Sequence, residues 1–242
     1  NIVELIFGVL LTSKNYDKGE KKIVGGKNGY GAKLTNIFSI YFKVETVDSK
    51  RGLKYVQEFT NNMKNKSKPK ISKVKGKSYT KIYWIADLKR FGIEKYSDNM
   101  IKLMIRRIYD ISGTTNKSVK FYYNKKQIKI NSFDKYIKLY TNDSKMVYLN
   151  LNERWQIGIA LSKNDKYEHY SFVNGIATFK GGKHVDYICK QITKGIVEYI
   201  KKKNKQDIQE NYVKNYLKIF INSIIENPSF DSQTKERLIT PP

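Results

Sequence analysis

Between Gly25 and Gly31 the chain reads GGKNGYG, four glycines in seven positions, with Lys33 two residues further on and an apolar run after it. The chemistry that suits such a stretch is phosphate binding. Glycines let backbone amides approach an oxyanion closely, and a helix N-terminus adds partial positive charge. Two familiar templates do not fit. For a P-loop, Gly26 and Gly31 have the right spacing, but Ala32 stands where the lysine belongs and no Ser or Thr follows Lys33. For a dinucleotide fingerprint, Gly29 and Gly31 require a third glycine at position 34, which is Leu34. A tight turn between two helices is the plain alternative.

Other reactive side chains are few. Cys189 is the sole cysteine, which excludes an internal disulfide and suits a reducing compartment. His169 and His184 are the only histidines, so no zinc cluster can be assembled. His184 follows GGK at the start of a helical pattern and has no evident acid partner, which points to a structural role. The run IKKKNKQD, residues 200–207, ends a long amphipathic pattern in a cationic cluster, a position where lysines complement the helix dipole. Taken alone, DSQTKE at 231–236 is a surface loop after Pro228. The formal charge of +25 favours a polyanionic partner, namely nucleic acid, nucleotide phosphates or an anionic surface. Part of the lysine excess also fits an AT-rich genome.

The elements that must position these groups read as a mixed α/β chain. Ile2, Leu5, Ile6, Val9 and Leu10 have helical spacing. The opening NIVELIFGVLLTS is too short and too acidic for a membrane span, and the chain reads as a piece of something longer. A short helix follows the glycine loop. IYFKVETVDS and KYVQEFTNN form two strands around a turn at 49–52, and residues 62–77 form a lysine-rich solvated loop. TKIYWIADL reads as a buried strand. MIKLMIRRIYDISG places Ile101, Met104, Ile105 and Ile108 on one helical face and stops at Gly113. SVKFYYNKKQIKI is a hairpin turning at Asn124. MVYLNLN, RWQIGIALS and HYSFVNGIAT are strands of a second sheet. Residues 184–203 form an amphipathic helix, and QENYVKNYLKIFINSIIEN a further helix ending before Pro228. The change of pattern sets a domain boundary near residue 132.

GGKNGYGAKLTNIFS resembles the third nucleotide-binding motif of the type IIA DNA topoisomerases, which belong to the GHKL (Bergerat-fold) ATPases. LIFGVLLTSKNYD, RRIYDISG, SFVNGIATFKGGKHVDYI and NPSFDSQTKE resemble further segments of that family in the same order, and the similarity is to its eukaryotic branch. The resemblance implies a partial GHKL ATPase domain over 1–132. It implies a transducer domain of ribosomal-S5-like fold over 133–242. The implied function is the ATP-operated gate of a type II topoisomerase, coupling ATP binding and hydrolysis to double-strand DNA passage in a nuclear homodimer with no membrane attachment. The alternative is a non-catalytic basic DNA-binding scaffold.

By that resemblance Lys27, Asn28, Gly29, Tyr30, Gly31, Ala32 and Lys33 contact the triphosphate of ATP, and Ser13 and Asn15 hold ribose and phosphates. Phe7 lies near the nucleotide and Thr80 beneath the adenine. Gln233 and Lys235 are the catalytic contacts to the terminal phosphate, where lysine neutralises charge on the transferring group. Lys201, Lys202, Lys203 and Lys205 contact DNA phosphates without sequence preference. Two departures stand out. Lys27 replaces an arginine and loses forked hydrogen bonding, and Lys14 replaces a small polar residue. The glutamate base, the Mg2+-binding asparagine and the adenine-reading aspartate of the family are expected upstream of Asn1, so no metal ligand is assigned here and these 242 residues alone are expected to hydrolyse no ATP.

Overall fold

Alternating apolar residues over 39–60 and a helical period over 183–204 each find a sheet or helix to build, and the chain packs around them as two units. A computed structural model describes residues 2–13, 15, 19, 21–26, 28–141 and 145–241. One unit comprises residues 1–20 and 26–97, the other residues 21–25 and 98–242. The division falls ahead of the boundary expected near 132, because the helix that begins at Asp98 packs with the second unit.

The first unit contains helices α1 (Ile2–Gly8) and α2 (Tyr30–Ile37) and strands β1 (Ser39–Asp48), β2 (Leu53–Thr60), β3 (Asn65–Lys66), β4 (Lys70–Lys73) and β5 (Tyr79–Ala86). The sheet order is β3-β2-β1-β5, with β4 also on the outer edge of β2. Phe42, Val44, Tyr55 and Phe59 point to one face and form a core against which Val3, Phe7 and Met63 pack. Burying each such side chain stabilises the unit by roughly 1.5–3 kcal/mol. Helix α1 ends early. Leu11 turns the chain at φ 57°, and Lys66 donates to the Gly8 carbonyl at 2.6 Å.

Two expectations need correction in this unit. The lysine-rich stretch 62–77 is not wholly loop, since β3 and β4 pair with the two ends of β2. Strand β5 is not buried. It flanks β1 with Ile82, Tyr83, Trp84 and Ile85 all exposed. An apolar run reports that burial is wanted but does not say by what.

The second unit contains α3 (Asp98–Thr114), the small hairpin β6 (Tyr122–Tyr123) and β7 (Lys126–Gln127), and α4 (Phe133–Thr141). Strands β8 (Met146–Asn152), β9 (Trp155–Leu161), β10 (Glu168–Val173) and β11 (Ile176–Ala177) follow, then α5 (Lys183–Asn204), α6 (Glu210–Asn215) and β12 (Leu217–Ser223). The sheet order is β11-β10-β12-β9-β8. Leu217, Ile219 and Ile221 of β12 face Val185, Ile188 and Cys189 of α5, while Phe220 faces Phe133, Tyr136 and Ile137 of α4. The unit is therefore a sheet covered by helices on both faces.

Segment 209–227 is not one helix. Only α6 is helical, and the rest is β12, the central strand, parallel to β10 and antiparallel to β9. A strand buried on both faces reads as a continuous apolar run, which periodicity cannot separate from a buried helix. The helix α4, which the sequence reading does not contain, fills the opposite face. On α3, Ile101 and Met104 are exposed and the buried residues are Asp110, Ser112 and Gly113. Asp110 is 1 % exposed and ties α3 to α4: the Tyr136 hydroxyl donates to it at 2.7 Å, with Arg106 at 3.9 Å and Arg107 at 3.7 Å. Burial pushes the Asp110 carboxyl up despite that hydroxyl and the two guanidinium groups.

Candidate functional site

The glycine loop is organised by one carbonyl. Thr12 fixes itself to the end of α1, its hydroxyl donating to Leu5 O at 2.9 Å and Val9 O at 3.0 Å. The Thr12 carbonyl then accepts the Lys33 ammonium at 2.7 Å. Gly29, the residue that starts α2, adopts the left-handed conformation (φ 67°, ψ 20°), and a Cβ there would lie 2.6 Å from the same carbonyl. Glycine is thus required twice over, by backbone conformation and by space. Gly29 offers α2 no side-chain cap, and backbone amides at a helix start suit an anion. At Gly26 and Gly31 an added Cβ would meet nothing within 4 Å, so this side of the loop is open.

Lys33 is only 2 % exposed, and its ammonium has three donors of which Thr12 takes one. Among the described residues no carboxylate pairs with it. A buried cation with neutral company is costly unless an anion completes it. Asn15 closes the loop from the other side, its side-chain amide donating to Gly26 O at 2.6 Å, while Ser13 Oγ accepts from the Asn15 amide at 3.1 Å. An open backbone turn, an uncapped helix start and a buried ammonium are what a phosphate chain needs, and ATP fits that donor set.

The expected nucleotide contacts distribute as follows. Ser13, Asn15, Gly29 and Lys33 come together around Thr12, with Tyr30, Gly31 and Ala32 on the first turn of α2 and Asn28 just ahead of it. Lys27 and Lys14 lie outside the described residues. Phe7 packs in the core beside Phe42, ring centres 6.0 Å apart, and its carbonyl accepts from Asn36 at 3.0 Å. Thr80 sits on the exposed strand β5 and bonds Thr46 across to β1 at 3.0 Å. Among the described residues no group of three or more His, Cys, Asp or Glu side chains is placed to hold a metal ion.

In the second unit, Gln233 and Lys235 lie on a turn in which the Lys235 amide donates to Ser232 O at 3.1 Å. Lys235 holds φ 60°, and burial pulls its ammonium below the usual lysine range. The lysine cluster lies at the other end of α5. Lys201 pairs with Asp207 at 2.8 Å, Lys203 donates to the Tyr199 hydroxyl at 3.3 Å, and Lys205 closes the helix at φ 57° with its amide on Lys201 O. All four lysines, Lys202 included, are exposed. His184 is buried, 3.2 Å from the Thr178 hydroxyl, and burial pushes its pKa down to about 4. No helix among the described residues is long and apolar enough to cross a membrane.

Sequence reasoning missed Thr12, because a backbone carbonyl leaves no signature in residue type. It also missed the seat of the Gln233–Lys235 turn on Gly181 and Gly182, for which the GGK tripeptide is the available signal.

A sequence model described as DNA gyrase B matches residues 52–242. The chain is similar to DNA topoisomerase 2 of Arabidopsis thaliana, 48% identical over 98% of the chain and 17% of that protein. It is similar also to DNA topoisomerase 2 of Saccharomyces cerevisiae, 45% identical over 99% of the chain and 18% of that protein. The chain thus spans less than a fifth of these relatives. Among solved structures, the ATPase region of Saccharomyces cerevisiae topoisomerase II superposes with a TM-score of 0.92 at 47% identity, covering 99% of the chain and 62% of that structure. The ATPase and transducer domains of DNA topoisomerase II from Balamuthia mandrillaris give 0.93 at 43% identity, covering all of the chain and 63% of that structure.

Proposed function

The chain belongs to the DNA gyrase B family, and from that membership we propose that it forms the ATP-operated gate region of a type II DNA topoisomerase, coupling ATP binding and hydrolysis to the passage of one DNA duplex through another. The observation that carries this reading is the loop around Thr12, where Gly29 brings an uncapped helix start beside the buried Lys33 ammonium. Residues 1–132 act in this reading as part of a GHKL ATPase domain and residues 133–242 as the transducer.

The backbone and side chains of Lys27, Asn28, Gly29, Tyr30, Gly31, Ala32 and Lys33 bind the triphosphate of ATP, with Ser13 and Asn15 on ribose and phosphates. Phe7 and Thr80 serve the nucleoside end. Gln233 and Lys235 act on the terminal phosphate, where the lysine neutralises charge that develops as the phosphoryl group leaves. Burial, which disfavours the charged ammonium of Lys235, strengthens its pull on an anion. Lys201, Lys202, Lys203 and Lys205 hold double-stranded DNA through its phosphates. The working protein is a nuclear homodimer that takes Mg2+ with ATP.

Lys235→Ala in the intact protein decides the matter. It is expected to abolish ATP-driven strand passage while salt-sensitive DNA binding stays within about twofold. A fully active variant would instead support a basic DNA-binding scaffold in which the nucleotide contacts do nothing.

A further inference from the structure

The turn carrying Lys235 is the tip of a loop that closes on itself. Phe230 bridges Leu238, the Ile239 amide donates to Ser229 O at 2.9 Å, and the Asp231 amide donates to Arg237 O at 3.2 Å. That loop is seated on the start of α5 by three backbone bonds. The Lys180 amide donates to Glu236 O at 2.9 Å, the Leu238 amide to Gly181 O at 3.1 Å, and the Lys183 amide to Leu238 O at 3.1 Å. The last of these uses the first residue of α5. An ion pair between Lys180 and Glu236 at 2.6 Å flanks them. Leu238 is 1 % exposed.

Gly182 makes this seat possible. At φ 133° it occupies backbone space that side chains avoid, and a Cβ there would lie 2.2 Å from Leu238 O, 2.6 Å from its amide nitrogen and 2.9 Å from its carbonyl carbon. All three are backbone atoms, so no rotamer change relieves the contact. Any side chain at 182 must lift Leu238, and with it the loop three residues from Lys235.

We propose that the Gly182–Leu238 junction, flanked by the Lys180–Glu236 pair, positions Lys235 for its work on the terminal phosphate. The proposal rests on the reading of Lys235 given above. Gly182 touches no reacting atom; its role is exercised through Leu238. Preorganised charge must sit within a fraction of an ångström of its target, and a misplacement of about 1 Å can cost on the order of 100-fold in rate.

The test is ATP turnover by the intact protein in four variants: Gly182→Ala, Lys235→Ala, their combination, and the charge-reversal pair Lys180→Glu with Glu236→Lys. Gly182→Ala is expected to lower kcat at least 10-fold with the KM for ATP within about twofold, since the contact matters in the transition state. On the Lys235→Ala background it should cause no further loss, which a general folding defect would not reproduce. Lys180→Glu is expected to lower kcat about threefold, and adding Glu236→Lys should restore it. If Gly182→Ala does not fold, the charge-reversal pair decides: no loss with Lys180→Glu, or no rescue, overturns the inference. If Lys235→Ala destroys turnover while folded Gly182→Ala keeps it, the junction is irrelevant and the role of Lys235 stands. If Lys235→Ala keeps turnover, the functional reading itself falls and this inference falls with it.

Discussion

Removing a single oxygen, by Tyr136→Phe, tests the account of how the second unit is tied together. The Tyr136 hydroxyl donates to Asp110 Oδ1 at 2.7 Å, and both residues are essentially without solvent contact. A hydrogen bond to a charged acceptor contributes about 1.5–3 kcal/mol, and the bared carboxylate finds no water to replace it. Arg106 and Arg107, at 3.9 and 3.7 Å, are too far to take over as hydrogen-bond donors. The Phe133 ring stacked 6.0 Å from Tyr136 keeps its partner, so packing is unchanged. We expect a loss of about 2 kcal/mol at pH 7, or roughly 4–8 °C in Tm for a unit of this size.

The sign of the pH dependence adds a second check. Burial already raises the Asp110 carboxyl, and deleting the hydroxyl that opposes this raises it further. Protonation then favours the folded state of the variant, so the gap to the parent narrows as pH falls through the carboxyl's titration. Urea unfolding followed by circular dichroism between pH 7 and pH 3 measures both quantities. A loss under about 0.5 kcal/mol at neutral pH with unchanged m, or a gap that widens on acidification, would refute the reasoning.

Three further outcomes are expected. His184 titrates near 6.5 when unfolded but is pushed down to about 4 by burial and by neighbouring His169. Stability should therefore be full above pH 6.5 and decline by up to about 3 kcal/mol as pH falls to 4, a slope that a neutral, non-titrating residue at 184 removes in a thermal-melt series. Cys189 is buried and burial raises its thiol pKa. A thiol reagent should label the folded protein only at the rate of its opening, and immediate labelling would contradict the packing of α5 on β12. Replacing Lys201, Lys202, Lys203 and Lys205 by glutamine should flatten the plot of log affinity for duplex DNA against log salt by up to about 3–4 units, and less for Lys201, which already serves Asp207.

The parts of the fold carried by short-range pattern were legible. The hairpin turning at Asn124 appears with Asn124 and Lys125 at positive φ, and the second-sheet strands 146–152, 154–162 and 169–178 fall close to β8, β9, β10 and β11. What stayed hidden was decided by neighbours. KIFINS was indistinguishable from helix because β12 is buried on both faces, and TKIYWIADL looked buried although Ile82, Tyr83, Trp84 and Ile85 are exposed. At the site, the glycines and Lys33 suggested an anion cradle or a tight turn, and the atom that gathers Gly29 and Lys33 is the Thr12 carbonyl. Gly182 was visible as a glycine, whereas its partner Leu238 lies far along the chain and had no local signal.

The position of β12 sets the order in which this chain can mature. Residues 217–223 pair with 168–173 on one side and with 155–161 on the other. Until residues 217–223 have emerged from the ribosome, β9 and β10 wait with adjoining edges unfilled, each a template for pairing with another molecule. The sheet therefore closes only once β12 has been made, and a nascent chain stalled before Leu217 would be sticky from two sides at once.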